Sequence, residues 1–108
     1  SAAGDWAMAY RMLRNAGAAP PWIESDKEAR RQIAELEALI ERAPRMSRLS
    51  HRRARADLAR IVAEANRAIE RVNSEAPTDR QHRRKLDLGT QEARLEAAFG
   101  APEERRAP

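Results

Sequence analysis

The chain has no cysteine. Disulfides, cysteine-based zinc sites and thiol catalysis are therefore excluded. Glycine is scarce, four scattered residues among 108, so there is no glycine-rich loop to cradle a phosphate. Histidine is limited to His51 and His82, and Asp79 three residues before His82 makes only a two-ligand fragment. No metal site is expected from that set. The serines Ser1, Ser25, Ser47, Ser50 and Ser74 lie outside any Gly-x-Ser-x-Gly elbow, and Ser47 near His51 suits a helix cap better than a nucleophile and base. The expectation is a non-enzyme with no catalytic residues, no cofactor and no small-molecule substrate. No apolar run approaches the roughly 20 residues of a membrane helix. No signal peptide is visible, so the expected setting is cytoplasmic, away from membrane. Leu, Ile, Val and Phe together number 16 against 35% charged residues, a composition close to that of disordered chains.

What opposes disorder is pattern. There are 23 alanines and 19 arginines, both good helix formers, and the apolar residues recur at helical spacing. A first helix is predicted at about 5–16, capped by Asp5, with Trp6, Met8, Ala9, Met12, Leu13 and Ala16 on one face. A second runs from about 20 to 43. Its stripe is Trp22, Ala29, Ile33, Leu36, Ile40 and Ala43, widened by Leu39. Pro44 ends it. A third runs from about 47 to 75 behind a Ser47 cap, with Leu49, Ala54, Leu58, Ile61, Ala65, Ile69 and Val72 in line, and Pro77 stops it. A short fourth helix is predicted at about 90–99, with Thr90 as cap and Leu95, Ala98 and Phe99 on one face. The expected organisation is one all-α domain, 5–99, with flexible ends at 1–4 and 100–108.

Only about three residues join the second and third helices, so they must fold back as an antiparallel hairpin. Position k then lies near position 90 − k, pairing Ile40 with Leu49, Ile33 with Leu58, Ala29 with Ile61, and Trp22 with Ile69. The first helix braces the hairpin through an elbow. Asn15 and Gly17 close the first helix, with Gly17 in the left-handed position past its end, and Pro20 and Pro21 open the second. Trp22 is expected to anchor the fold. Asn66 and Asn73, seven apart on one face, are expected to brace the elbow through their amides.

The stretch Ala9–Glu24, AYRMLRNAGAAPPWIE, resembles the hallmark of the family called DnaJ homologue subfamily C member 28, conserved domain, a domain of unknown function. Ala65-Asn66-Arg67-Ala68-Ile69, Asn73, Pro77, Arg80-Gln81 and Leu86-Asp87-Leu88 follow in the family's order, so the resemblance spans roughly 7–90. Three features depart from the family. The family's usual upstream segment, with a Phe-Asp-Asn-Leu-Pro-Gly-type motif, has no match in this sequence. Ser74-Glu75-Ala76 stands where the family is apolar. The animal members' J domain, with its His-Pro-Asp signature, has no counterpart, because His51 and His82 are each followed by arginine. What the resemblance implies is a bacterial standalone type, chaperone-associated, without co-chaperone activity of its own.

Two surfaces remain. Between Arg42 and Arg60 there are seven arginines and one acid, Asp57. Arg45, Arg48, Arg52, Arg53 and Arg55 form a candidate polyanion site at the hairpin tip, without interleaved aromatics or a nucleic-acid motif. A second basic cluster, Arg80, Arg83, Arg84 and Lys85, follows the third helix. Leu88, Leu95 and Phe99 are candidate partner-binding residues, since a ten-residue helix is not stable alone. The sequence thus favours an interaction module with a protein partner or a second copy. Weak binding to nucleic-acid phosphates is the alternative.

Overall fold

The computed structural model describes residues 8, 9, 11 and 19–100. Met8, Ala9 and Arg11 are helical and exposed; Met8, at 63%, and Ala9 were expected on a buried face. The remainder of that predicted helix, including Asn15 and Gly17, lies outside the described residues.

Three α-helices follow, with no strand among the described residues: α1, Pro21–Arg42; α2, Arg48–Glu75; and α3, Leu88–Gly100. Pro20 is extended and Pro21 occupies the first turn of α1, where a missing N–H costs no hydrogen bond. The Ile23 amide closes that turn on the Pro20 carbonyl at 3.0 Å. The α-helix stops at Arg42, and Pro44 is absorbed into a 3₁₀ turn, Ala43–Arg45. Ser47 then caps α2, its hydroxyl accepting from the Ser50 amide at 3.1 Å. At the far end Ala76 is extended, as a residue before proline prefers.

The buried residues set the packing. On α1 and the turn they are Ser25, Ala29, Gln32, Leu36, Leu39 and Ala43; on α2 they include Ala54, Leu58, Ile61, Ala65, Ala68 and Val72. Both rows step alternately by four and three, the heptad spacing of a coiled-coil seam. The expected stripe was thus rotated. Ile33 and Ile40 are only half-buried, whereas Gln32 and Leu39 lie in the seam. The register is also shifted by about one heptad. Ala29 clusters with Ala68 and Ile69 rather than Ile61, and Gln32 donates to Glu64 at 2.9 Å. Leu49 is 62% exposed instead of packing on Ile40. The cause is at the tip: with the 3₁₀ turn and the Ser47 cap, the first turn of α2 overshoots the end of α1.

After α2 the chain turns back. Residues 77–87 run along the hairpin, with a 3₁₀ turn at Asp79–Gln81, and α3 continues toward the tip. Thr90 is not the cap of α3. Asp87 is, its Oδ2 accepting from the Thr90 amide at 2.9 Å and from the Thr90 hydroxyl at 2.7 Å. These bonds, the hydroxyl's first, hold the Asp87 carboxyl below the usual carboxylate range. Leu95, fully buried, joins Leu36, Leu39, Ala43, Ala54, Leu58, Ile61 and Val62 in the main core. The tip half is therefore a three-helix bundle, with α3 antiparallel to α2.

Candidate clamp for an extended segment

Asn66 and Asn73 both project from α2 toward the returning chain, and each uses its whole amide. Asn73 donates from Nδ2 to the Arg83 carbonyl at 3.0 Å and accepts the Arg83 amide on Oδ1 at 2.8 Å. Asn66 does the same with Leu86, at 3.0 and 2.7 Å. The geometry follows from two elementary spacings. Seven helical residues rise about 10.5 Å. Three residues of extended chain, the interval from 83 to 86, span about 10 Å. Two asparagines one heptad apart therefore meet every third residue of an extended strand, and each imitates the donor–acceptor edge of a neighbouring strand. The expected bracing of the elbow is corrected accordingly: both amides are committed to the return segment.

Acidic side chains flank this main-chain grip. Arg83 pairs with Asp26 of α1, which also holds Arg30 at 2.9 Å, and Lys85 pairs with Glu70 of α2. The hydrogen bond from Arg83 is the main reason that Asp26 titrates below its usual range. Lys85 lowers Glu70 in the same way. Farther along, Arg94 forms a fork with Glu37 at 2.9 and 2.7 Å, which lowers Glu37. Glu96 reaches Arg55 at 3.3 Å and His51 Nε2 at 3.1 Å, the latter off hydrogen-bond geometry. The His51 ring stacks on Phe99 at 3.9 Å between centroids. Strand, salt links and α3 together make one arm, 77–100, seated on the hairpin.

The other predicted site residues fall as follows. Leu95 is core, so it is not an open partner contact; Phe99 is half-buried on His51, and Leu88 remains 40% exposed. Trp22 is half-buried beside Asp26, Arg30 and residues 80–83 rather than opposite Ile69. Arg45, Arg48, Arg52 and Arg53 are exposed at the tip, and Arg55 is drawn to Glu96. The second basic cluster is half consumed, since Arg83 and Lys85 are ion-paired internally. Sequence reasoning missed Asp26, Glu70, Glu37, Arg94 and Gln32. Gln32 is 2% exposed, and its Nε2 donates to Glu28 at 3.0 Å as well as to Glu64, while its Oε1 has no partner. Among the described residues no group of three or more His, Cys, Asp or Glu could hold a metal, and no helix is long and apolar enough to cross a membrane.

These features define a class: an all-α helical hairpin that straps its own C-terminal arm along one face. Residues 4–37 match the family model described as DnaJ homologue, subfamily C, member 28, conserved domain, so this stretch carries that family's signature. The match contains the elbow residues, Trp22 and Asp26, and stops before Asn66 and Asn73. No curated protein and no solved structure matches the chain.

Proposed function

We propose that this chain is a non-enzymatic protein-interaction module, working in the cytoplasm in association with the chaperone system to which its family's name points. The paired-asparagine clamp is the observation that carries this reading. A surface that grips an extended strand by its main chain accepts many sequences, because amides and carbonyls recur at every residue. Selectivity comes from Asp26 and Glu70, which favour cationic side chains three and one residues before the apolar position filled here by Leu86. The partner's segment takes the place of the arm, or the arm is exchanged with a second copy.

A locked arm tests this. Glu70→Cys with Lys85→Cys, bridged by a short bismaleimide, fixes the arm in a chain that has no other thiol. Immobilised wild type retains a protein from native lysate after nuclease treatment and in high salt, and the bridged chain does not. Equal retention by both removes the clamp from the function. Retention that disappears with nuclease or falls steeply with salt supports the alternative, phosphate-backbone binding at the tip. That alternative draws on Arg48, Arg52 and Arg53, which are exposed and have no acidic partner among the described residues.

A further inference from the structure

The seam buries one side of α2, and the opposite side is exposed. Leu49 and Leu58, about two and a half helical turns apart, mark the two sides: Leu58 is fully buried and Leu49 is 62% exposed. Four residues past Leu49 a row of arginines begins on the outer side, Arg53, Arg60 and Arg67, all exposed. Each stands one heptad from the next, so they share a face and the row extends about 21 Å along the helix. Little of its charge is committed. Arg53 and Arg67 have no ion-pair partner among the described residues. Arg60 reaches Glu64 only at 3.5 Å, through an oxygen that also accepts the Gln32 amide. Asp57 is the one exposed acid between Arg48 and Arg67. None of these residues belongs to the arm or to the asparagine clamp.

We propose that the outer face of α2 docks an acidic amphipathic helix of a partner protein. Its carboxylates recur every seventh residue and meet Arg53, Arg60 and Arg67, and an apolar side chain covers Leu49. The match is one of charge and of period: a neighbouring helix presents its own side chains at the same interval, and guanidinium groups pair well with carboxylates. Nucleic acid fits this face less well. A phosphate backbone would meet the arginines but would give Leu49 no apolar contact, and α2 has no Trp, Tyr or Phe on which a base could stack. A second copy of this chain does not supply the acids. On α1 the exposed Glu24, Glu35, Glu37 and Glu41 include no two that are seven apart, and Lys27, Arg30 and Arg31 are interleaved with them; α3 exposes only Glu96. The face is separate from the clamp, so its occupation does not require release of the arm.

Two labelled helical peptides of about four heptads serve as probes. One carries glutamate at every seventh position, between two apolar rows so that it can dock in either direction. The other has the same composition with the glutamates spread around the helix. Binding to the full chain is followed by fluorescence anisotropy in about 0.15 M salt, which screens long-range attraction. The phased peptide should bind saturably, and the control about tenfold more weakly. Arg53→Glu with Arg67→Glu should abolish binding. Leu49→Gln should weaken it about tenfold, the loss of one buried leucine contact. All three positions are exposed, so the melting temperature should not change. The proposal is overturned if neither peptide binds, if both bind equally, or if Leu49→Gln has no effect. A DNA duplex that binds more tightly than the phased peptide would overturn it in favour of nucleic acid.

Discussion

Replacing Asn66 with alanine removes one rung of the clamp and leaves the helix carrying it intact, since alanine is the better helix former. Two hydrogen bonds to Leu86 are lost, of 3.0 and 2.7 Å. A typical intramolecular hydrogen bond contributes about 0.5–1.5 kcal/mol net. Asn66 and Leu86 are half-buried, so water can re-solvate the freed groups, and the expected cost is about 1–1.4 kcal/mol for the pair. Hydrogen exchange at the Leu86 amide reads this directly, because that N–H is donated into Asn66 Oδ1. Its exchange should accelerate about five- to tenfold. The Arg83 amide, held by Asn73 about 10 Å away, should change by less than about twofold, because separated sites act nearly independently. Asn66→Asp should separate the two bonds. The carboxylate still accepts the Leu86 N–H but cannot donate to its carbonyl, so amide protection survives while the arm loosens. If Leu86 exchange in Asn66→Ala stays within about twofold of wild type, the rung does not hold the strand and the clamp argument fails.

Leu95→Ala should destabilise the chain by about 2–5 kcal/mol in urea, because a fully buried leucine in a three-helix contact leaves a cavity. A denaturation midpoint equal to that of wild type would show that α3 is not part of the core. Acid should release the arm early. Asp26, Glu37 and Glu70 all have lowered folded-state pKa values, so their stabilisation is complete above the ordinary carboxylate range, around pH 4. It is lost as pH falls through the lowered values. Exchange at Arg83 and Leu86, corrected for intrinsic pH dependence, should therefore rise below about pH 4 while the α1–α2 seam stays protected; uniform loss of protection would contradict this. At the tip, changing Arg48, Arg52 and Arg53 together to glutamine should abolish low-salt retention on heparin without altering the melting temperature, and unchanged retention would point to Arg80 and Arg84.

The ends of α1 and α2 were legible in the sequence because single residues dictate them: Pro20-Pro21, Ser47 and Pro77 each act through local geometry, whereas the start of α3 was placed at Thr90 and is capped by Asp87. The phase of the hairpin was less legible. Hydropathy favours Ile33 over Gln32, yet Gln32 occupies the seam because its amide meets Glu28 and Glu64 there. The register was misjudged because Pro44 marks where α1 ends but not the geometry of the Ala43–Arg45 turn, which changes where α2 starts relative to α1. The heptad spacing of Asn66 and Asn73 was visible, but their partner was not. An extended basic segment has no periodicity that a hydrophobic pattern can detect. Nor does any periodicity mark Asp26 and Glu70, whose partners Arg83 and Lys85 lie in that segment.

The return path of the arm also fixes how the molecule would carry force. Chain enters α1 at Pro21, at one end of the hairpin, and leaves α3 at Gly100, beside the tip. The separation is set by α1, whose 22 residues rise about 33 Å. A pull applied between these points acts along the helices, not across them. Leu95, the Arg94–Glu37 fork and both asparagine rungs would be loaded in shear together, so the arm resists as a unit before any one contact can peel.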